Sequence, residues 1–81
     1  MSEYFLSDLR EGDVATIVGY KSGMEEKVKR RALELGFTIC QEVRLEKKSM
    51  LSDVLLFNLR GYLISLRRDI ASFIMCKRER K

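Results

Sequence analysis

Five basic side chains sit in two short clusters: Lys27, Arg30 and Arg31, then Arg67 and Arg68. Guanidinium and ammonium groups at such spacing bind carboxylates or phosphates, so their chemistry is anion recognition rather than bond cleavage. The plain alternative is a set of solvated charges that offset a helix dipole or pin a turn. Catalytic chemistry has little to draw on. The chain has no histidine, which removes the usual general base, the Ser/His and Cys/His nucleophile pairs, and the commonest transition-metal ligand. Two cysteines, Cys40 and Cys76, lie 36 residues apart without CxxC spacing. They are expected to form a buried, reduced pair rather than a metal site or disulfide framework. There is no glycine-rich phosphate loop. Neither an enzyme, nor a metal site, nor a cofactor is expected.

With 81 residues, 46% of them apolar, the chain can bury one small core. No apolar run approaches the roughly 20 residues that span a bilayer. Met1, Ser2 and Glu3 lack the plan of a signal peptide, so the expected compartment is the cytoplasm. Net charge is +4, from 16 basic and 12 acidic side chains. The last five residues, Lys77 to Lys81, hold four of those bases and one of those acids, a net of +3. The remainder, at +1, is nearly balanced, so residues 77–81 read as a basic tail on a domain of residues 1–76.

The elements that must position these groups follow from periodicity. Residues 1–11 are a lead-in with at most one helical turn, and Gly12 makes a turn. Val14 to Tyr20 are strand-formers, apolar on both faces, which suits a central strand. Ser22 can cap a helix over about residues 24–35, where Met24, Val28, Ala32 and Leu35 form one stripe. Glu25 with Lys29 and Glu26 with Arg30 are favourable i,i+4 pairs, and Gly36 fits a left-handed C-cap. Strands follow at 42–48, 54–60, 62–66 and 72–77, with a reversal at Gly61 and a helical turn over 67–71. Five short strands with one helix predict a mostly β fold, a small partly open barrel closed at one end by the helix. Its predicted core is Ala15, Ile17, Val28, Leu35, Val43, Leu45, Phe57, Ile64, Leu66, Ile70 and Ile74. Tyr20 and Tyr62 read as barrel residues with rim hydroxyls, or else as an aromatic groove for peptides.

The stretches LSDLREGDVATIVGY (6–20), RRALELGF (30–37), EVRL (42–45) and RGYLISLRRDIASFI (60–74) resemble the FeoA family in their order and spacing. The resemblance implies an SH3-like barrel. It also implies a non-enzymatic, cytoplasmic accessory of bacterial ferrous iron uptake that binds and modulates the FeoB transporter. Weak homo-oligomerisation is compatible with it. Arg31 and Arg67 match basic positions of that pattern, and Lys27, Arg30 and Arg68 stand beside them as contacts for the partner. Gly12, Gly36 and Gly61 are its structural turns. One departure is Ile39-Cys40, where the pattern carries a Gly-containing turn. A reshaped loop is expected there, since neither residue takes positive φ cheaply. Two other readings stay open. One is a FeoA-like regulatory domain with a different protein partner. The other is a small RNA-binding barrel that uses the basic tail, although the near-neutral body gives no ground to expect nucleic acid.

Overall fold

The computed structural model describes residues 4–79. Its elements are a 3₁₀ turn (Leu6–Asp8), β1 (Val14–Tyr20), α1 (Glu26–Leu35), β2 (Glu42–Lys48), β3 (Val54–Leu59), β4 (Tyr62–Arg67), α2 (Arg68–Ala71) and β5 (Ile74–Arg78). The five strands form one antiparallel sheet in the order β4-β3-β2-β1-β5. The sheet curls without closing, because β4 and β5 remain its two edges. Register shifts between Ile17 and Gly19 and between Leu45 and Lys47 bend the strands around the core. Val18, at the first shift, is half exposed, so β1 is internal to the sheet yet not covered on both faces throughout.

The strand bounds follow the sequence pattern closely, and the helix start does not. Gly23 takes φ 103°, which turns the chain out of a helical path, so α1 begins at Glu26 rather than Met24. Glu25 is the extended N-cap, with no side-chain cap bond, in place of the predicted Ser22. Only Arg67–Asp69, Arg68–Asp53 and Arg78–Asp13 form ion pairs among the described residues, so neither i,i+4 pair on α1 closes. Lys29 instead lies 5.6 Å from the centre of the Tyr20 ring. β5 runs through Lys77 and Arg78, which pair with Thr16 and Ala15. Backbone pairing therefore claims two residues assigned by sequence to a tail; Arg80 and Lys81 lie outside the described residues.

The core contains seven of the eleven predicted residues, and Leu35, Ile64 and Ile70 pack half-buried against it. Val28 is the exception, partly exposed on α1. Leu6, Leu9, Phe37, Leu55 and Leu59 are fully buried in addition. Phe37 meets Phe57 edge to face, with ring centres 5.7 Å apart. Each such side chain contributes about 1.5–3 kcal/mol by leaving water.

The end of α1 is tied down at several points. Gly36 takes φ 114°, and its N–H and that of Phe37 donate to Leu33 O and Ala32 O. From the sheet, the Tyr20 hydroxyl donates to Phe37 O at 2.7 Å, and the Tyr62 hydroxyl donates to Leu35 O at 3.4 Å. Both tyrosines thus serve as helix anchors, not as an aromatic groove. Burial pushes the Tyr20 phenol up from 10.0 to about 12.

The two cysteines part company: Cys76 is buried, and Cys40 is exposed. Burial, reinforced by the charge of Asp8, pushes the Cys76 thiol up to about 12. Cys40 also overturns the expectation of a reshaped loop. It takes φ 75°, held by its N–H donating to Ile17 O at 2.7 Å. The surrounding bonds keep the left-handed turn, and the non-glycine residue absorbs the strain, about 1–2 kcal/mol.

Cys40→Gly should relieve that strain at a backbone-entropy cost of about 0.5–1 kcal/mol, for a net gain of about 0.5–1 kcal/mol. Thermal melting should then rise by a few degrees, and a lowered Tm would show Cys40 to be unstrained. For Tyr20, the folded chain keeps between pH 10 and 12 a proton that the unfolded chain has already lost. Its contribution is present below pH 10 and disappears as pH rises through 12. Tyr20→Phe should flatten the alkaline fall in Tm, leaving the part due to Cys76; an unchanged slope would contradict the assignment.

Candidate functional site

An open groove of about 420 Å³ runs between α1 and the edge strand β4, ending at α2. Its apolar lining is Val28, Ala32 and Leu35 from α1, Leu66 from β4 and Ile70 from α2. Lys27, Arg31 and Arg67 line it as well, so three of the five predicted contact residues converge on one place. The helical period brings this about: Lys27 and Arg31 stand one turn apart and flank the Val28–Ala32–Leu35 stripe. Of the ten residues of α1, only Ala32 is fully buried, so the stripe is wall as much as core.

The other two predicted contacts are not part of the groove. Arg30 is exposed on α1 and absent from the groove lining. The Arg68 Nε donates to Asp53 Oδ1 at 2.7 Å, bridging the start of β3 to α2. Asp53 itself takes φ 58°, so this pair helps to hold a strained turn. Arg67 faces Asp69 through two bonds, at 3.1 and 3.3 Å, and its side chain stays 72% exposed. At that exposure the pair is screened and readily exchanged for another carboxylate.

The three glycines lie away from the groove lining. Gly12 (φ 92°) donates its N–H to Leu45 O between the lead-in and β1. Gly61 (φ 89°) and Arg60 (φ 53°) form the two-residue turn between β3 and β4, where the Asn58 side-chain Oδ1 accepts the Gly61 N–H at 3.1 Å. Gly36 is the one nearest the groove, at the end of α1; a Cβ there would meet the Tyr62 hydroxyl at 3.2 Å.

What the sequence reading missed is the apolar lining of the site. Val28, expected in the core, is half uncovered instead, and a stripe at helical spacing gives no signal of that. A second depression, of about 380 Å³ and lined by Val14, Glu42, Val43, Arg44, Asn58 and Arg60, is polar and of mixed charge. Among the described residues, no three His, Cys, Asp or Glu side chains gather to hold a metal ion. No helix of the described residues is long and apolar enough to cross a membrane. The groove thus combines an apolar wall of Val28, Ala32, Leu35, Leu66 and Ile70 with the three cationic side chains Lys27, Arg31 and Arg67.

Comparison with known proteins fits this architecture. The family model described as the FeoA domain matches residues 5–78. A FeoA-like protein from Clostridium acetobutylicum is 26% identical over 95% of this chain and 87% of its own, with a TM-score of 0.81. FeoA from Stenotrophomonas maltophilia, solved in complex with zinc and described as an SH3 domain protein, is 26% identical over 95% and 96%, at 0.80. A manganese-dependent transcriptional repressor shares the fold at a TM-score of 0.87, with 16% identity; the match covers 98% of this chain and 38% of the repressor. No curated protein matches. With nearly its whole length matched by the family model and a five-stranded SH3-like sheet in place, the chain belongs to the FeoA family.

Proposed function

We propose that this chain is a cytoplasmic, non-enzymatic accessory of ferrous iron uptake. In this role it docks on the cytoplasmic part of a FeoB-type transporter through the groove between α1 and β4 and modulates transport. Family membership supports the association with ferrous iron transport, and the Stenotrophomonas relative is described as possibly acting as a ferrous iron transport activating factor. The observation that carries the docking site is the convergence of Lys27, Arg31 and Arg67 around an uncovered apolar wall. Apolar area supplies affinity at such a surface, and the charged rim supplies orientation and rate. A second reading, a regulatory domain that contacts another protein or another part of its own, is favoured by the fold shared with the repressor. It would use the same groove with a different occupant.

Calorimetric titration into the cytoplasmic domain of the FeoB-type transporter from the same organism, with GDP, with a GTP analogue and without nucleotide, tests the reading. Saturable binding is expected in at least one state. Arg31→Glu should weaken it about tenfold, equivalent to about 1.4 kcal/mol. Arg30→Glu, on the same helix but outside the groove, should change it less than about twofold by the usual weakness of exposed charges. Equal effects of the two reversals would move the contact elsewhere, and no binding in any state would overturn it.

A further inference from the structure

The two edges of the sheet are finished differently. The outer side of β5 is covered by the lead-in: Phe5 bridges Met75, and the Cys76 N–H donates to Tyr4 O at 2.8 Å. β4 has β3 on one side and, among the described residues, no strand on the other. Exposed edges are usually guarded by proline, a bulge or an inward charge. β4 has no proline, and its pairing with β3 runs through six consecutive residue pairs without a register shift. Among the described residues it is a regularly paired edge with no bulge.

Which backbone groups it offers follows from the ladder. The Arg68 N–H donates to Asp53 O at 3.0 Å, which fixes the bonded pairs as Asp53 with Arg68, Leu55 with Leu66, Phe57 with Ile64 and Leu59 with Tyr62. Leu63, Ser65 and Arg67 lie in the alternate pairs, so their N–H and C=O groups face outward. These outward groups border the α1 groove, whose lining includes Ser65, Leu66 and Arg67.

We infer that β4 receives an extended peptide segment of a partner protein as a sixth strand. The segment's alternate side chains enter the α1 groove, and its carboxylates meet Lys27, Arg31 and Arg67. This rests on the docking reading above and adds the backbone mode and the chemistry of the occupant. Strand addition suits the site because the ladder supplies binding through main-chain bonds, while the pockets beside it select every second side chain. Val28, Leu35 and Ile70 call for apolar residues on the groove side. Leu63, 56% exposed, shares its face of β4 with Ser65 and Arg67 and offers a cross-strand neighbour for the intervening ones. Asp69, beside the groove on α2, is engaged by Arg67 in an exposed pair. A second copy of this chain is the wrong occupant. Edge-to-edge pairing would bring two sets of Lys27, Arg31 and Arg67 together, and opposed like charges are destabilising.

The test is residue-resolved amide exchange on the full chain, with three synthetic ten-residue peptides as probes. The first alternates valine with glutamate and threonine. The second replaces glutamate by lysine, and the third is the first with every second backbone nitrogen methylated. The first should bind and slow exchange at the Leu63, Ser65 and Arg67 amides at least about tenfold. Ile64 and Leu66, already bonded to β3, should change little. The lysine and N-methylated peptides should bind at least about tenfold more weakly. Binding without protection of the three outward amides, or equal binding of the N-methylated peptide, would overturn strand addition while leaving side-chain docking in the groove intact. No binding of the first peptide at millimolar concentration would also overturn it, whatever the transporter titration gives. Protection of the same amides in the chain alone as its concentration rises would overturn the choice of occupant. Loss of transporter binding with retained peptide protection would instead sink only the assignment of the partner.

Discussion

Much of this structure depends on how the C-terminal end of α1 is fixed. A ten-residue helix is marginal by itself, and most of its stability must come from packing. Here only Ala32 is fully buried, so packing along the helix is thin. The deficit is met at one end, where Gly36 reverses the chain in a left-handed conformation and Phe37 drops fully buried into the core. Tyr20 and Tyr62 then bond the carbonyls of Phe37 and Leu35 from the sheet. A helix anchored at its end need not be sealed along its side. That leaves Val28 and Leu35 partly uncovered, and the groove is the consequence.

The sheet has the complementary property. Five short strands cannot close without edges, and bulges near Val18 and Glu46 supply curvature without closure. One edge is then capped by the chain's own lead-in through Tyr4 and Phe5, which explains why Leu6 and Leu9 are wholly buried in a segment that reads as peripheral. The other edge faces the half-covered helix. Uncovered backbone and uncovered apolar surface therefore fall side by side, and neither the helix anchor nor the bulged sheet alone would place them there.

Legibility in the sequence tracked how local the cause was. Strand positions were readable because alternation in residues 42–48 and the apolar run from Val54 are local signals. So were the turns at Gly12, Gly36 and Gly61. The helix start was misplaced by two residues because Gly23 leaves the helical path, which Ser22 as a cap residue concealed. Cys40 was misjudged for the opposite reason. Its intrinsic reluctance toward positive φ is local, while the bond to Ile17 that enforces it comes from another strand. Val28 and the burial of Leu6 and Leu9 depend on tertiary covering, which no single-segment pattern records. Within the candidate site, the basic rim was legible as clustered charge, but not that Lys27, Arg31 and Arg67 share a wall while Arg30 and Arg68 do not.

The charge balance sharpens what the rim can do. The chain's net charge of +4 owes most to its last five residues, so the groove's basicity is a local asymmetry rather than a property of the whole domain. At physiological salt, screening over about 8 Å confines its influence to groups already close to the wall. Such a rim steers little from a distance and discriminates at contact. The backbone ladder of β4 has the reverse character, since main-chain groups bind any extended segment alike. Affinity from a sequence-blind edge and selectivity from three short-range cations are separable, so one could be weakened without loss of the other. A surface built in this way holds an acidic, apolar strand and rejects a basic one, with no deep pocket required.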